Sequence, residues 1–382
     1  MTNKTCDFLV IGGGIAGASA ACMLSTHGKV IVAERESAPD HHSTGRSAAT
    51  LTRAYENPIV SSLITASVSF LETAHESEFS PTPLLSSRGT LSVSDESSLE
   101  KLNQYHAKYA PIVKTLQRLD RQQTLSLPGT GILNPAHIAG SVLEPDAADI
   151  DVHALHQAYL KNMKARGGEL LMEAEIISMK HDGKNWLVET KAGNVEANIV
   201  VNAAGAWADE IGKLAGAGTI GLQPMRRTVI TFGGAPDHID ITKIPFTRDI
   251  NTSYYFRPEG RTQILGSSAD ETPCDPCDAQ PDEIDIAIAA DRIENAIIFP
   301  IRRIEHKWAG LRNFVKDRMP VAGFDDTVPG FFWLAGQGGA GIKTSPIMAR
   351  IAESLITGSN FPPELSAYGI TAQTLSPKRL RS

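Results

Sequence analysis

Short apolar runs recur along this chain, and the residues after each run set its meaning. Asp7-Phe8-Leu9-Val10-Ile11 becomes β-branched at its end, the pattern of a buried strand. Gly12-Gly13-Gly14-Ile15-Ala16-Gly17 comes next. Residues 18–27 then read as a helix with small residues on one face and Gly28 as its stop. Val30-Ile31-Val32-Ala33 is a second buried strand, ending in Glu34. The spacing predicts a strand–helix–strand unit of about 30 residues. Ala197-Asn198-Ile199-Val200-Val201 and Phe331-Phe332-Trp333-Leu334-Ala335 are further strands, each running into small residues; a helix is predicted after the second, over 342–356. Residues 151–166 read as a helix and 169–197 as strands. Residues 84–142 mix short strands with helical patterns such as 97–109, and 216–312 carry alternating strands, for example Thr228-Val229-Ile230-Thr231-Phe232. The expected fold is α/β. Nucleotide-binding elements at both ends and near 150–215 flank two β-rich blocks, an interleaved two-domain chain with no linker and no repeat.

Composition narrows the classes. The chain has 382 residues, 42% hydrophobic and 21% charged, which excludes disorder, collagen and coiled coil as the main architecture. Its length suits two domains or one large discontinuous one. A net charge of −7 without a long basic run argues against nucleic acid and anionic membrane as partners. No segment reaches the roughly 18 to 20 apolar residues that span a bilayer. The first apolar run breaks at Gly12 and no basic segment precedes it, so a soluble, cytoplasmic protein is expected. Four cysteines are too few for a disulfide scaffold. Cys6 and Cys22 read as packed thiols. Cys274 and Cys277 form a C-x-x-C in an Asp/Pro-rich stretch without a helix start or further ligands, and read as an incidental loop.

The glycines of the first turn have separate jobs. Gly12 permits the tight turn, Gly14 lets the backbone approach a pyrophosphate, and Gly17 lets helix and strand pack closely. The helix start offers N–H groups to phosphate. Glu34, 20 residues after Gly14, can accept hydrogen bonds from ribose hydroxyls and would repel a 2′-phosphate. Gly336, Gly338 and Gly341 formally repeat the G-x-G-x-x-G motif, but no strand ending in an acid follows. A loop and helix start aimed at the same cofactor is the better reading, with a second nucleotide site as the alternative. A helix start there would stabilise negative charge on a reduced flavin.

Taken together, the opening unit, residues 42–49, residues 201–207, Trp308-Ala309-Gly310-Leu311-Arg312 and residues 339–346 resemble the D-amino-acid oxidase superfamily of FAD-dependent oxidoreductases, and within it the bacterial D-arginine dehydrogenases. The resemblance implies a Rossmann-like FAD-binding domain over residues 1–83, 145–215 and 318–382. A discontinuous β-rich substrate domain would comprise 84–144 and 216–317. It implies non-covalent FAD and hydride transfer from the α-carbon of a D-amino acid to flavin N5, giving an imino acid that hydrolyses to a 2-oxo acid and ammonia. Arg312 matches the arginine that forks onto the substrate carboxylate; the alternative is an ion pair with Asp317. Arg227 matches a second carboxylate contact, with Arg226 the competing choice. Tyr55 and Tyr255 match substrate-binding tyrosines, with Tyr254 competing for the latter. Thr52, Thr90 and Gly339 complete the substrate set. Cofactor contacts are implied at Gly12, Gly14, Ile15, Ala16 and Gly17, and at Glu34 and Arg35. Ser43, Thr44, Arg46, Ser47 and Ala48 form a second group, and Ala204, Gly205, Trp207 and Gly310 a third. The last is Gly338, Gly341, Ile342, Lys343 and Thr344. In sarcosine-oxidase-like relatives a lysine at the position of Lys343 lies near the flavin N1/C2 carbonyl.

Three positions depart from the D-arginine dehydrogenase pattern. Thr90 stands for the glutamate that faces the substrate guanidinium, Thr50 for a histidine, and Lys343 for a glutamine. Losing the carboxylate disfavours a strongly cationic substrate. Neutral D-amino acids fit better, and Arg53 and Arg88 leave an acidic side chain open. A secondary-amine oxidase of the sarcosine or glycine type is the alternative in this fold, a 2-hydroxy-acid oxidase a weaker one, and a non-catalytic flavoprotein subunit the alternative from another class. The electron acceptor (quinone, electron-transfer protein or oxygen) is open. His41-His42 and the His153/His156 pair offer no metal set, so no metal is expected.

Overall fold

The computed structural model describes residues 3–381. Strand β1 (Asn3–Ile11), helix α1 (Ile15–Leu24) and strand β2 (Val30–Ala33) form the opening unit, with β1 and β2 parallel. Side chains alternate along β1: Phe8 and Val10 enter one core, Leu9 and Ile11 another. Both faces of this sheet are therefore covered, which explains why its strands read as unbroken apolar runs. The sheet has eight strands in the order Ile176–His181, Trp186–Thr190, Gly193–Asn202, β1, β2, Glu169–Leu171. Val200, Val201 and Asn202 of the third strand also pair in parallel with Phe331–Ala335, to which Val321–Phe324 adds antiparallel. Helices α1, Val152–Ala165 and Gly341–Thr357 pack on one face around Ala18, Leu155, Tyr159 and Ile347. Gly358 closes helix Gly341–Thr357 in the left-handed conformation at φ 72°, and 3-10 turns and the short helix Ala372–Leu375, not a strand, come after it.

A second sheet of nine strands is drawn from residues 90–314. Its order runs from Thr272–Pro273 through Gln223–Phe232, Gln263–Ser267, Tyr255–Glu259, Phe246–Asp249, Thr90–Ser94 and Gly140–Glu144 to Gln117–Asp120. Ile304–Phe314 pairs antiparallel along Gln223–Phe232. One face buries Leu91, Val93, Ile230, Phe232, Phe256 and Ile264 against helix Glu283–Ala296. The pattern over 216–312 predicts alternating strands, and this helix within it is an element that expectation does not include. The physical cause lies in Ile284, Ile286 and Ile288, which alternate like a strand. Asp282 nonetheless caps the backbone N–H of Ile284 at 3.0 Å, and Ile286, Ala289 and Ile293 are buried at helical spacing. Helix Pro58–Thr73, capped by Asn57 with Pro58 at its first turn, is a second element the apolar pattern does not single out. A three-stranded sheet of Thr50–Leu51, Ala148–Ile150 and Leu85–Ser87 completes the architecture. Among the described residues no helix is long and apolar enough to cross a membrane.

Candidate active site

The first turn is shaped by contacts only glycine tolerates. Gly12 sits at φ +101°, and a Cβ there would lie 2.5 Å from the Ala203 carbonyl oxygen. A Cβ on Gly17 would strike the Gly12 carbonyl oxygen, so α1 presses directly on the turn. Ile15 N donates to Thr44 Oγ1 at 3.0 Å, tying the helix start to the following loop. Glu34 accepts from Gly13 N at 2.7 Å and Glu36 N at 2.9 Å, and burial pushes its carboxyl up. Gly12, Glu34, Thr44 and Ala203 line one lobe of a cleft, a cavity of about 160 Å³. Arg35 stacks over Trp207 at 4.7 Å and His42 lies 4.6 Å from the same ring, which makes an aromatic wall.

The second lobe, about 260 Å³, shares Gly14, Ser43, Thr44, Ala203 and Gly205 with the first, so the two are continuous. Its roof is one face of the nine-stranded sheet. Registers Arg227↔Gly310 and Val229↔Trp308 set these side chains on the face that also carries Arg312. Thr90↔Phe246 and Arg248↔Tyr255 extend it. The period of two thus turns Arg227 into the cavity and Arg226 out, where it pairs with Asp285 at 3.0 Å. Tyr255 stacks on Phe246 at 5.2 Å, while the neighbouring Tyr254 stacks on Phe256 at 6.1 Å; both reach the cavity wall. The floor is Tyr55, Gly338, Gly339, Gly341, Ile342 and Lys343.

Charge in this lobe is one-sided. Arg227 is buried, donates from Nε to the Asp270 carbonyl oxygen at 2.6 Å and meets Glu271 at 3.4 Å. Burial and then the Arg312 charge pull its pKa down. Arg312 has no hydrogen bond or ion pair among the described residues. Asp317, its alternative partner, pairs with Arg379 at 2.8 Å instead. A Cβ on Gly339 would lie 3.0 Å from both Arg312 Cζ and Tyr55 Oη, so the missing side chain at 339 keeps that corner open. Burial raises the Tyr55 hydroxyl, with Arg312 opposing. Lys343 Nζ lies 4.6 Å from the centre of the Tyr55 ring; burial, then Arg312, brings its pKa down to about 7. Thr50 Oγ1 and Asn313 Oδ1 are buried in the cavity wall without a partner among the described residues, which marks a wall built to meet a ligand.

Every residue expected to touch substrate lines this lobe: Tyr55, Tyr255, Arg227, Arg312, Thr52, Thr90 and Gly339. The Thr52 hydroxyl is committed to Glu144 at 2.7 Å. Of the cofactor set, Gly12, Gly14, Ile15, Ala16, Glu34, Arg35, Ser43, Thr44, Arg46, Ser47, Ala48, Ala204, Gly205, Trp207, Gly310, Gly338, Gly341, Ile342 and Lys343 line one lobe or both. Gly17 and Thr344 do not. Gly17 lies beneath the turn, and the buried Thr344 hydroxyl turns back to Ala340 O at 2.9 Å. The Arg46 guanidinium is spent on the Ala279 and Ala309 carbonyls and on Asp278, leaving its stem at the wall. Arg53 and Arg88 line neither lobe: Arg53 pairs with Asp146 at 2.8 Å and Arg88 with Asp149 at 2.8 Å. The cation on that side is Arg248, which no motif in the sequence singles out. Its signal is alternation alone, a single arginine on the inward register of a short strand. His156 turns inward to Gly13 O at 2.7 Å and His153 is exposed, so their spacing makes no pair. Glu36, His41 and His42 do converge, with ligand atoms within 4.8 Å of one another, and His42 is already matched to Glu36 at 3.0 Å. No cysteine lines either lobe among the described residues.

Comparison with known proteins agrees with this geometry. The family model described as DAO, FAD dependent oxidoreductase, matches residues 7–355. Mitochondrial dimethylglycine dehydrogenase of Mus musculus is 33% identical over 138 residues, covering 35% of this chain and 16% of that protein. The chain thus matches only a small part of the length of that relative. The crystal structure of glycine oxidase from Geobacillus kaustophilus superposes with a TM-score of 0.84 at 20% identity, covering 96% of this chain and 99% of the other. L-proline dehydrogenase from P. horikoshii gives 0.83 at 18% identity, covering 100% and 99%.

Proposed function

The chain belongs to the FAD-dependent oxidoreductase family, and from that premise we propose that it oxidises the carbon–nitrogen bond of an amino acid that is not strongly cationic. The cleft fits FAD on its own features. The Gly12 turn and the α1 start present backbone N–H groups, Glu34 stands at the strand end, and Trp207 supplies a ring face in the narrower lobe. Lys343 and the start of helix Gly341–Thr357 put positive charge on the floor of the wider one. Bound there without a covalent link, FAD would take a hydride from the substrate α-carbon at flavin N5.

The protein's share is binding and orientation. The observation that carries the reading is Arg312: an unpaired guanidinium on the cavity roof, beside Tyr55 and the open corner at Gly339. A carboxylate is the group that matches its fork. Arg227 adds a second, buried cation that stays close to Tyr255, 5.8 Å from its ring. Tyr55 and Tyr255 then donate hydrogen bonds to the held substrate. With carboxylate and amine fixed, the α-carbon would be held in one position, and the gain is one of orientation. The substrate nitrogen must be neutral to push electrons, so its proton leaves before transfer. The resulting imino acid needs only water to become a 2-oxo acid and ammonia.

Primary D-amino acids are the first substrate class of this reading. Thr90, which brings no carboxylate to the wall, separates it from a D-arginine dehydrogenase. Secondary and tertiary amines of the sarcosine type are the second class; by their names two of the relatives act on N-substituted amino acids, dimethylglycine and L-proline, and one on glycine, a primary amino acid without a D or L form. Anaerobic mixing with D-, L- and N-methyl amino acids tests both. Bleaching of the flavin band by D-amino acids supports the first class, bleaching only by N-substituted amines moves the assignment to the second, and no bleaching by any of them removes the reading.

A further inference from the structure

We propose that the substrate carries a second carboxylate and that Arg248 receives it, so the enzyme selects dicarboxylic amines: an amino acid with an acidic side chain, or an amine with carboxylates on both sides of its nitrogen. The inference rests on the proposed amino-acid oxidation at this site. Its first support is placement. The register pairs Arg248 with Tyr255 on one side and with Ser92 on the other, and Phe246 with Thr90, so Arg248 shares the inward face with the roof residues. Its strand and that of Arg312 stand four places apart in the sheet order. The two guanidiniums thus flank the cavity from opposite sides, and the charge of each acts on Lys343 between them.

The second support is how the arginines nearby are matched. Arg53, Arg88 and Arg257 do not line the cavity and each has a carboxylate: Asp146, Asp149 and Asp149 at 2.8, 2.8 and 2.9 Å. Arg248 and Arg312 point in, and neither has one among the described residues. Arg248 donates only from Nε, to Ser92 Oγ at 2.9 Å, and stacks on the Tyr105 ring at 5.0 Å. These contacts lock the plane of the guanidinium and leave its two terminal nitrogens free for an anion. Glu144 is buried nearby, but Thr52 Oγ1, Arg53 N and Ala54 N take up its oxygens. Glu56, exposed at the rim, is the one carboxylate among the described lining residues. Burial works against the Arg248 charge, but the neighbouring Tyr105, Glu56 and Glu144 outweigh it and hold its pKa up, so the guanidinium stays charged without a paired carboxylate and can form a direct ion pair with a ligand carboxylate. A site built to pair a polar group also rejects the analogue that lacks it by large factors.

The test uses the FAD-loaded enzyme under anaerobic conditions. D-glutamate and D-aspartate, their amides D-glutamine and D-asparagine, and N-carboxymethyl against N-methyl amino acids are compared by the rate of flavin bleaching. The acid should exceed its matched neutral partner at least 100-fold in kcat/KM, and the pair of series tells which dicarboxylic class is meant. Arg248→Met should bring that ratio near 1, and Arg248→Lys should restore part of it. Equal rates for acid and amide in the unmodified enzyme, or a ratio that Arg248→Met leaves in place, would overturn the proposal. Should Arg248→Met not retain FAD, binding of succinate or glutarate against butyrate, read from the flavin spectrum of the unmodified enzyme, decides: tighter dicarboxylate binding supports it and equal binding overturns it. Turnover of neutral amino acids without turnover of dicarboxylic ones sinks this inference alone. Silence toward all amines sinks the underlying reading.

Discussion

Lys343 offers the sharpest physical test, because its burial has a calculable cost. Its ammonium sits on the cavity floor with the Tyr55 ring beside it, and burial and Arg312 lower its pKa from 10.5 to about 7. The folded chain therefore binds fewer protons than the unfolded chain between pH 7 and 10.5, and stability contributed at this site rises with pH through that window. Below pH 7 both states are charged and the full cost stands. At 1.36 kcal/mol per pKa unit it is about 5 kcal/mol at pH 6 and falls to about 2 kcal/mol at pH 9. Lys343→Met removes the titration at similar volume. The stability gain of the variant over the parent should then be about 2 to 3 kcal/mol larger at pH 6 than at pH 9. The assay is urea unfolding of FAD-stripped protein at both pH values, taking the difference between the two proteins so that other titrating groups cancel. A gain that is the same at pH 6 and pH 9 would refute the reasoning, since a purely steric effect of methionine has no pH dependence.

Four further outcomes are expected of the site. Arg312→Ala should raise KM by roughly 30- to 1,000-fold, the equivalent of about 2 to 4 kcal/mol for a lost charge-pair contact; steady-state kinetics with an unchanged KM would remove its role. Gly12→Ala should purify with little flavin, because its Cβ would lie 2.5 Å from Ala203 O at a φ of +101°; a full flavin-to-protein absorbance ratio would contradict the turn geometry. Thr90→Glu puts a carboxylate on the inward face diagonal to Arg248 and should shift preference from acidic toward cationic D-amino acids, read as the ratio of kcat/KM for D-glutamate to that for D-arginine. Carboxylate binding should raise the Lys343 pKa by offsetting the Arg312 charge, so a non-oxidisable carboxylate should bind with proton uptake at pH 7.5, measured by calorimetry in buffers of different ionisation heat.

How much of the molecule is legible in its sequence depends on whether the signal is local. The opening unit is legible in kind, because turn, helix and acid all lie within one strand–helix–strand span, but its helix runs Ile15–Leu24 and is capped at Ser25, three residues ahead of the 18–27 expected, so Gly28 is not its stop. Helix Gly341–Thr357 and its closing Gly358 are legible for the same reason. Helix Glu283–Ala296 is not. Its isoleucines at 284, 286 and 288 carry a strand's period, and only the fold, by leaving Ile284 69% exposed while burying Ile286 and Ile293, shows which period won. Individual cavity residues are recovered through family likeness. Arg227 and Arg312 lie on neighbouring strands, yet nothing in their spacing of 85 residues announces it. Arg248 escapes a sequence reading because its meaning comes from what fails to reach it. Sequence displays every nearby Asp and Glu and hides which of them are already spent.

The same matching of charges governs the site as a whole. The chain is acidic overall, at −7, and yet Arg227, Arg248, Arg312 and Lys343 all reach the wider lobe with Glu56 as its one lining carboxylate among the described residues. Mutual repulsion between these cations is visible in Arg227 and Lys343, each of which is lowered by Arg312. Exchanging Arg312 for a neutral residue should relieve both, whereas Arg248 is held charged by Tyr105, Glu56 and Glu144. Under the proposed reading anionic groups enter between the cations, with one carboxylate under Arg312, another under Arg248, and electron density arriving next to Lys343. On that reading the same cations would meet both reactant anions and developing negative charge. Specificity and chemistry in this cavity are therefore electrostatically coupled, and a change at Arg248 alters the environment of Lys343 as well as the fit of the substrate.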